Sequence, residues 1–333
     1  MKVTVAQIAK AAGVSPGTVS NALNNRKGSL SEEKRQHIID IAEKLGYFKK
    51  GKRTGVLRLV IYSRKERIVG DTPFFSELIR GFETAASANG YQLNISYIDS
   101  QQKDEIHKLD DISVCDGLLL LGTEMNLEDV IQFENFKIPY VIVDNAYIRQ
   151  KCDFVAINNR DGIYEITTYL IDKGHEKIGL INSINQINNF KERKLGFMQA
   201  LMDNNIQFIP EYESFVSPTI EESYADFKNY LQELIEQKED IPSAFVAVND
   251  NIALGALRAI SELHLQISIT GFDDIPFSSM SNPSLTTVQV DKMYLGKTAV
   301  HRLVEKLSSD ETTTLKILVE TKVVERNSVT KYN

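Results

Sequence analysis

The stretch "VTVAQIAKAAGVSPGTVSNALNN", residues 3–25, decides how the start of this chain folds. Thr4 and Gln7 have capping-box spacing: Thr4 accepts from the Gln7 amide, and the Gln7 side chain reaches back. Val5, Ile8, Ala9 and Ala12 then form a small apolar stripe, and Gly13 ends the helix. Ser15 is a natural N-cap for a second helix. Pro16 costs little at its first position, where the missing N–H has no intrahelical partner. Val19, Ala22 and Leu23 repeat at helical spacing and face inward, leaving Thr18, Ser20, Asn21 and Asn24 on other faces. In "SEEKRQHIIDIAEKLGY", residues 31–47, Ser31 caps a third helix with Glu32 and Glu33 in its first turn. Ile38, Ile41, Ala42 and Leu45 supply its stripe, and Gly46 stops it. Three short helices with a tight Gly-containing turn between the first two make a compact helix-turn-helix head.

The 333-residue chain is too long for one small domain, so two or three compact units are expected. Its net charge of −7 conceals an asymmetry. Residues 1–58 hold 12 Lys and Arg against 4 Asp and Glu, a balance of +8, so the remainder carries −15. A basic piece on an acidic body suits a phosphate-binding head; the blander reading is a solvated charged surface, and clustering in one short piece weighs against it. Thr18 and Asn21 project from the second helix, where short polar side chains meet base edges or phosphates. A three-helix interaction domain is the alternative. No apolar run approaches the roughly 18 residues a membrane helix needs, and "MKVTVAQIAK" has no signal-peptide core. Cys115, before "DGLLLLG", reads as a core thiol, and Cys152 sits in a polar stretch. A reducing cytoplasm, where disulfides are disfavoured, is the expected compartment.

From Leu57 onward, strand-like runs such as "LRLVIY", "DGLLLLG", "YVIVD", "KIGLIN" and "AFVAVND" alternate with helix-like ones such as "FFSELIRGFETAASANG" and "ERKLGFMQALMDNN". This βα repetition implies an α/β body of doubly wound parallel sheets. Gly81-Phe82 and Ala85 are echoed by Gly196-Phe197 and Ala200, which hints at two similar lobes. Ligands of such sheets bind at the C-terminal ends of strands. Asp144, Asn249, Asp250, Asp273 and Asp274 follow strand-like runs, and Arg193 is expected to open the helix "ERKLGF". Asp accepts hydroxyl protons, and Arg donates two bonds in a plane. Phe74 and Phe75 after the first strand offer an apolar or stacking wall, or simple packing.

The head, with its "GVSxxTVSxxLN" core and "LGY" ending, resembles the DNA-binding head of the LacI/GalR family of bacterial repressors. "DKGHEKIGLI", "VNDNIALGALRAI", "GFDDIPF" and "NPSLTTVQVD" extend the resemblance over nearly the whole chain. It implies that Pro16 and Gly17 occupy the specificity-determining positions after the cap, that Asn21 faces bases, and that Ser15, Thr18, Ser20, Asn24 and Ser31 meet phosphates or neighbouring groups. Thr4 is counted with this set. It further implies a two-lobed body like periplasmic sugar-binding proteins, with Asp144, Arg193, Asn249 and Asp273 contacting an effector in the cleft. After "LGY" the family usually continues with Pro-Asn and an Ala-rich hinge helix bearing a wedging Leu. This chain reads "FKKGKRTGVLRLVIY" instead, with seven residues between Tyr47 and Gly55. Such a linker reads as flexible, and Lys49, Lys50, Lys52 and Arg53 attract phosphates without inserting a wedge. "LHLQISITGFDD" is a few residues shorter than is usual in the family, so a short loop is expected there.

The expected domains are a head at 1–48, a basic linker at 49–56, and an effector-binding and dimerisation body at 57–333. Lobe one would span about 57–157 and 286–318, and lobe two about 158–285 and 319–333. No "HExxH", "GxSxG" or strand-linked "GxGxxG" occurs. "GKT" at 296–298 lacks the upstream Gly of a phosphate loop, since position 291 is Asp. The five histidines are scattered, with His175 reading as a turn before a strand. No enzyme activity, metal or cofactor is expected. The expected function is a ligand-responsive homodimeric repressor whose heads meet operator DNA and whose body binds a sugar. The alternatives are a sugar-binding protein without DNA regulation and an α/β enzyme.

Overall fold

The computed structural model describes residues 4–23, 30–45, 54–64, 73–101, 106–308 and 312–332. The chain divides into two units, Met1–Thr54 and Gly55–Asn333. Asn24 and the linker cations Lys49, Lys50, Lys52 and Arg53 lie outside the described residues.

In the first unit, α1 (Val5–Ala12) carries the full Thr4–Gln7 capping box and ends at Gly13, whose φ of 65° is left-handed. α2 (Pro16–Leu23) is capped by Ser15, whose Oγ accepts from the Thr18 amide at 3.1 Å. α3 (Glu32–Lys44) is capped by Ser31, which accepts from the Lys34 amide at 3.4 Å. Ile8, Ala9, Val19, Ala22, Ile38 and Ala42 form the buried core. Leu45, expected to continue the α3 stripe, is instead 41% exposed, because it falls just past the helix end.

The second unit has two lobes. β1 (Val56–Ser63), α4 (Pro73–Ala88), β2 (Gln92–Asp99), β3 (Gly117–Leu121), α5 (Leu127–Ile131), β4 (Tyr140–Val143) and β5 (Phe154–Ile157) begin the first. The second holds α6 (Asn159–Asp172), β6 (Ile178–Ser183), α7 (Asn188–Asp203), β7 (Glu213–Val216), α8 (Ile220–Gln237) and β8 (Ala244–Ala247). It continues with α9 (Asp250–Glu262), β9 (Ser268–Asp273), α10 (Pro276–Met280) and β10 (Thr286–Val290). α11 (Lys292–Ser308) and β11 (Lys316–Val319) return to the first lobe, and β12 (Thr321–Val324) crosses back.

The two six-stranded sheets run β11-β5-β4-β3-β1-β2 and β12-β10-β9-β8-β6-β7. The first is parallel throughout; in the second, β12 alone runs antiparallel, against β10. Only Glu320 separates β11 from β12, so the chain passes directly from the first sheet to the second. β3 and β4 are buried along their whole length, as strands covered on both faces must be.

Two expected boundaries move. β1 begins at Val56, one residue early. The return to lobe one was expected at 286, yet β10 pairs with β9 and β12 in the second sheet, so the chain crosses after Val290. An apolar run such as "TTVQV" carries no mark of which sheet it will join; α11, packed on α4, is the element that returns. The loop between α9 and β9 holds only residues 263–267, short as expected.

The internal echo has a packing cause. A Cβ added at Gly81 would stand 2.5 Å from the Met293 carbonyl oxygen, and one at Gly196 would stand 2.3 Å from the Arg160 carbonyl oxygen. Each glycine lets its helix, α4 or α7, meet the backbone of a partner, α11 or α6.

After β12 the tail returns along lobe two. Ser328 donates to the Ile269 carbonyl at 2.6 Å, and the Tyr332 amide donates to the Lys173 carbonyl at 2.8 Å. His175, in the turn before β6, is buried in this seam. Its Nε2 donates to the Thr330 carbonyl at 3.1 Å, its Nδ1 lies 2.8 Å from Ser243 Oγ, and its ring stacks on Tyr332. Burial holds its pKa below the ordinary histidine value.

Candidate functional site

A cavity of about 570 Å³ opens between the lobes, and all six residues expected to contact an effector line it. Phe74 and Phe75 begin α4, edge to face with centroids 5.1 Å apart. Asp144 follows β4, Asn249 caps α9, and Asp273 ends β9. Strand ends and helix starts point at one crevice because every βα unit places them on the same edge of its sheet.

Arg193 does not open its helix. α7 starts at Asn188, five residues earlier, because Ile187 is extended and Asn188 donates to the Ala146 carbonyl at 3.0 Å. Arg193 therefore sits in the second turn, buried, and all three nitrogens of its planar fork are engaged. Nε donates to Asn159 Oδ1 at 2.8 Å, Nη1 donates to the Val248 carbonyl, and Nη2 lies 3.3 Å from Asp273 Oδ1. The guanidinium lies 3.7 Å above the Phe272 ring centroid. It is a crossbar joining α6, the end of β8 and the end of β9. Burial lowers its pKa, against the raising pull of Asp273 and Asp144.

Asp144, at φ 60°, belongs to lobe one and is 1% exposed. Thr123 Oγ1 donates to its Oδ2 at 2.6 Å. From lobe two, Asn189 donates to both the Asp144 carbonyl and Oδ1, each at 3.1 Å. This bond bridges the lobes inside the cavity. Burial pushes the Asp144 pKa up to about 7, although Thr123 and Arg193 pull it down. Asp273, at φ 115°, is likewise raised by burial, with Arg193 and Lys292 opposing. The Asn249 Oδ1 accepts from the Ile252 amide at 3.0 Å.

The neighbours of these residues serve the frame. Asp250 is fully buried and accepts from the Ile275 amide at 2.9 Å, from Ser278 Oγ at 2.6 Å and from Thr287 Oγ1. It thereby fixes the turn that presents Asp273 and Ile275. Asp274 turns away and binds Arg326 at 2.7 Å and Gln289 at 3.0 Å. Sequence reasoning passed over Thr123, Asn189 and Phe190, which also line the cavity. Thr123 falls two residues after β3, so the strand-end rule reaches it; Asn189 needed the correct start of α7.

In the head, Ser15, Pro16, Gly17 and Ser20 are exposed, and Thr18 and Asn21 are half-buried. The Thr18 hydroxyl is 2.8 Å from Ser15 Oγ, so it is partly engaged in the cap. A Cβ added at Gly17 would meet only Ser15 Oγ, at 3.8 Å. Thr4 and Ser31 are exposed caps.

Comparison with known proteins agrees with both units. Residues 4–49 match the model for bacterial regulatory proteins of the lacI family, and residues 167–329 match that for a periplasmic binding protein-like domain. The HTH-type transcriptional repressor PurR of Aliivibrio salmonicida (strain LFI1238) is 30% identical over 345 residues, covering 98% of this chain and 99% of that one. PurR of Actinobacillus pleuropneumoniae serotype 5b (strain L20) is 29% identical over 322 residues, covering 93% and 92%. The lac repressor dimer bound to operator and the anti-inducer ONPF superposes with a TM-score of 0.72 at 25% identity, covering 98% of this chain and 99% of that one. The regulator CelR in complex with cellobiose superposes at 0.74 with 23% identity, covering 98% and 100%, and shares the fold. A helix-turn-helix head, a two-lobed body and similarity along nearly the full length identify this chain as a member of the LacI/GalR family of bacterial transcriptional regulators.

Proposed function

We propose that this regulator is a repressor that binds operator DNA as a homodimer and answers to a small sugar held in the interlobe cavity. The observation that carries the reading is the meeting of Phe74, Phe75, Asp144, Arg193, Asn249 and Asp273 in one cavity of about 570 Å³. The volume suits a small molecule. Carboxylate and amide oxygens accept hydroxyl protons, and the phenylalanine faces suit the C–H face of a sugar ring. Two heads on a dimer would meet half-sites one helical turn apart. The exposed N-terminal face of α2, with Ser15, Pro16, Gly17 and Ser20, would enter the major groove. Pro16 and Gly17 offer base edges almost nothing, so Thr18, Asn21, backbone groups and operator shape carry more of the readout. A ligand touching both lobes favours the arrangement it bridges, and that difference in affinity is what reaches the DNA.

The test is a thermal-shift screen of sugars on the full chain, followed by operator binding with and without each hit. Hits should change operator affinity, and Asn249→Ala and Asp273→Ala should abolish both effects. Shifts that survive both substitutions would remove the cavity from the mechanism.

A further inference from the structure

The interlobe cavity has two tiers, built from different kinds of residue. The inner tier is polar and enclosed: Asp144, Asn189, Arg193 and Asn249 line the cavity and all four are buried. The outer tier lies on lobe two, where α9 and α10 begin. Asn251 and Phe277 line the cavity there, and Phe277 is 53% exposed. The inner tier offers carboxylate, amide and guanidinium groups to the hydroxyls of one ring. The outer tier offers an aromatic face and an amide, which suit the C–H face and the hydroxyl edge of a second ring.

Phe277 is held in place by a buried carboxylate. Asp250 Oδ2 accepts from the Ile275 amide at 2.9 Å and from Ser278 Oγ at 2.6 Å, so it grips the chain on both sides of Phe277. Asp250 Oδ1 accepts from Thr287 Oγ1 of β10. Gly271 leaves room for this carboxylate, since a Cβ there would stand 2.2 Å from Oδ1. Asp250 is also the first residue of α9 and the neighbour of Asn251. One carboxylate therefore ties the starts of α9 and α10 together and brings both outer groups to one part of the rim. An aromatic ring fixed in this way loses little freedom when a ligand meets it. The cavity volume of about 570 Å³ lies well inside the range of about 300–1,000 Å³ that holds ligands larger than a single ring.

We infer that the effector is a disaccharide, with one ring held by the inner tier and the other laid against Phe277 with Asn251 at its edge. This rests on the reading of the cavity as the effector site for a sugar. It makes Phe277 the residue that distinguishes a disaccharide from the single sugars it contains.

The experiment is scanning fluorimetry and calorimetry on the full chain. The probes are glucose, galactose and fructose, set against maltose, cellobiose, lactose, sucrose and trehalose. At least one disaccharide should give a saturable rise in Tm and bind about tenfold or more tightly than either sugar it contains. Phe277→Ala should weaken that disaccharide about three- to tenfold and leave any binding of its component sugars unchanged. Phe277→Tyr keeps the ring and should retain the affinity. Asn251→Ala should weaken the disaccharide with the same selectivity.

A single sugar that binds as tightly as every disaccharide containing it, with binding lost in Asn249→Ala, overturns the second ring and leaves the site in place. A disaccharide whose affinity is unchanged in Phe277→Ala does the same. So does a loss in Phe277→Ala that sedimentation shows to accompany a change of oligomeric state, because the ring then belongs to a contact between copies. A hit that survives both Asn249→Ala and Asp273→Asn overturns the site reading itself. No saturable response to any of these sugars overturns the inference and the sugar reading together.

Discussion

Gly17 occupies the second position of α2, where an added Cβ would make only an ordinary contact with Ser15 Oγ at 3.8 Å. Nothing in the head's own packing demands glycine there. Gly17→Ala should therefore raise the stability of the head by about 0.5–1 kcal/mol, through the helix preference of alanine. The check is a thermal melt, with operator preference measured beside it. Arg193 is the opposite case. Removing it by Arg193→Ala strands Asp273 and the oxygen partners of its fork, and such a loss costs about 3–5 kcal/mol. Denaturant unfolding should show it, and Arg193→Met with Asp273→Leu should recover part of the loss. Asp144 sets a pH dependence. Folding raises its pKa to about 7, from about 3.9 unfolded. Its contribution is fully present below the unfolded value and lost as pH rises through 7. The Tm of the body should fall as pH rises from about 4 to about 7 and level off above it. Asp250, also raised to about 7 by burial, adds to that fall. Asp144→Asn should flatten its share, and an unchanged slope would contradict the assignment. The acids at strand ends were legible because chain direction alone puts them at the crevice, whereas the pairing of Arg193 with Asp273, 80 residues away, appears only on folding.

At the scale of elements, the α4–α11 and α6–α7 crossings depend on backbone approach at glycine. Gly81→Ala would force Met293 away and should cost about 1–3 kcal/mol as overpacking. Chemical denaturation checks it, and Gly196→Ala should behave alike in lobe two. The tail seam has its own titration. His175 has a depressed pKa in the fold, so the seam holds fully above the unfolded value of about 6.5 and weakens as pH falls through the folded one. Amide exchange across residues 326–332 should speed up between pH 7 and pH 5, after correction for intrinsic rates. The helices and buried strands were readable from caps and periodicity. The start of α7 was not, because its N-cap is Ile187, which has no capping side chain, and the two asparagines lie within the first turn. Nor was the sheet to which β10 belongs, since a strand's partners are set by what lies beside it.

Across the whole molecule, the Asn189 bonds to Asp144 join the two lobes within the cavity. Each hydrogen bond is worth about 1 kcal/mol, so Asn189→Ala should weaken effector binding on the order of tenfold. Calorimetry with a screened ligand measures this, and an unchanged affinity would mean the bridge plays no part in closure. The sequence by itself determined the helix-turn-helix head, the alternation that makes two wound lobes, and the acids at strand ends. Each follows from local rules: caps within three residues, stripes with one period, and chain direction along a strand. Tertiary structure alone decided that β10 joins the second sheet, that Arg193 is a buried crossbar, and that Asn189 reaches across to Asp144. These depend on which groups meet after long loops close, where burial and charge pairing act between residues that sequence spacing never brings together.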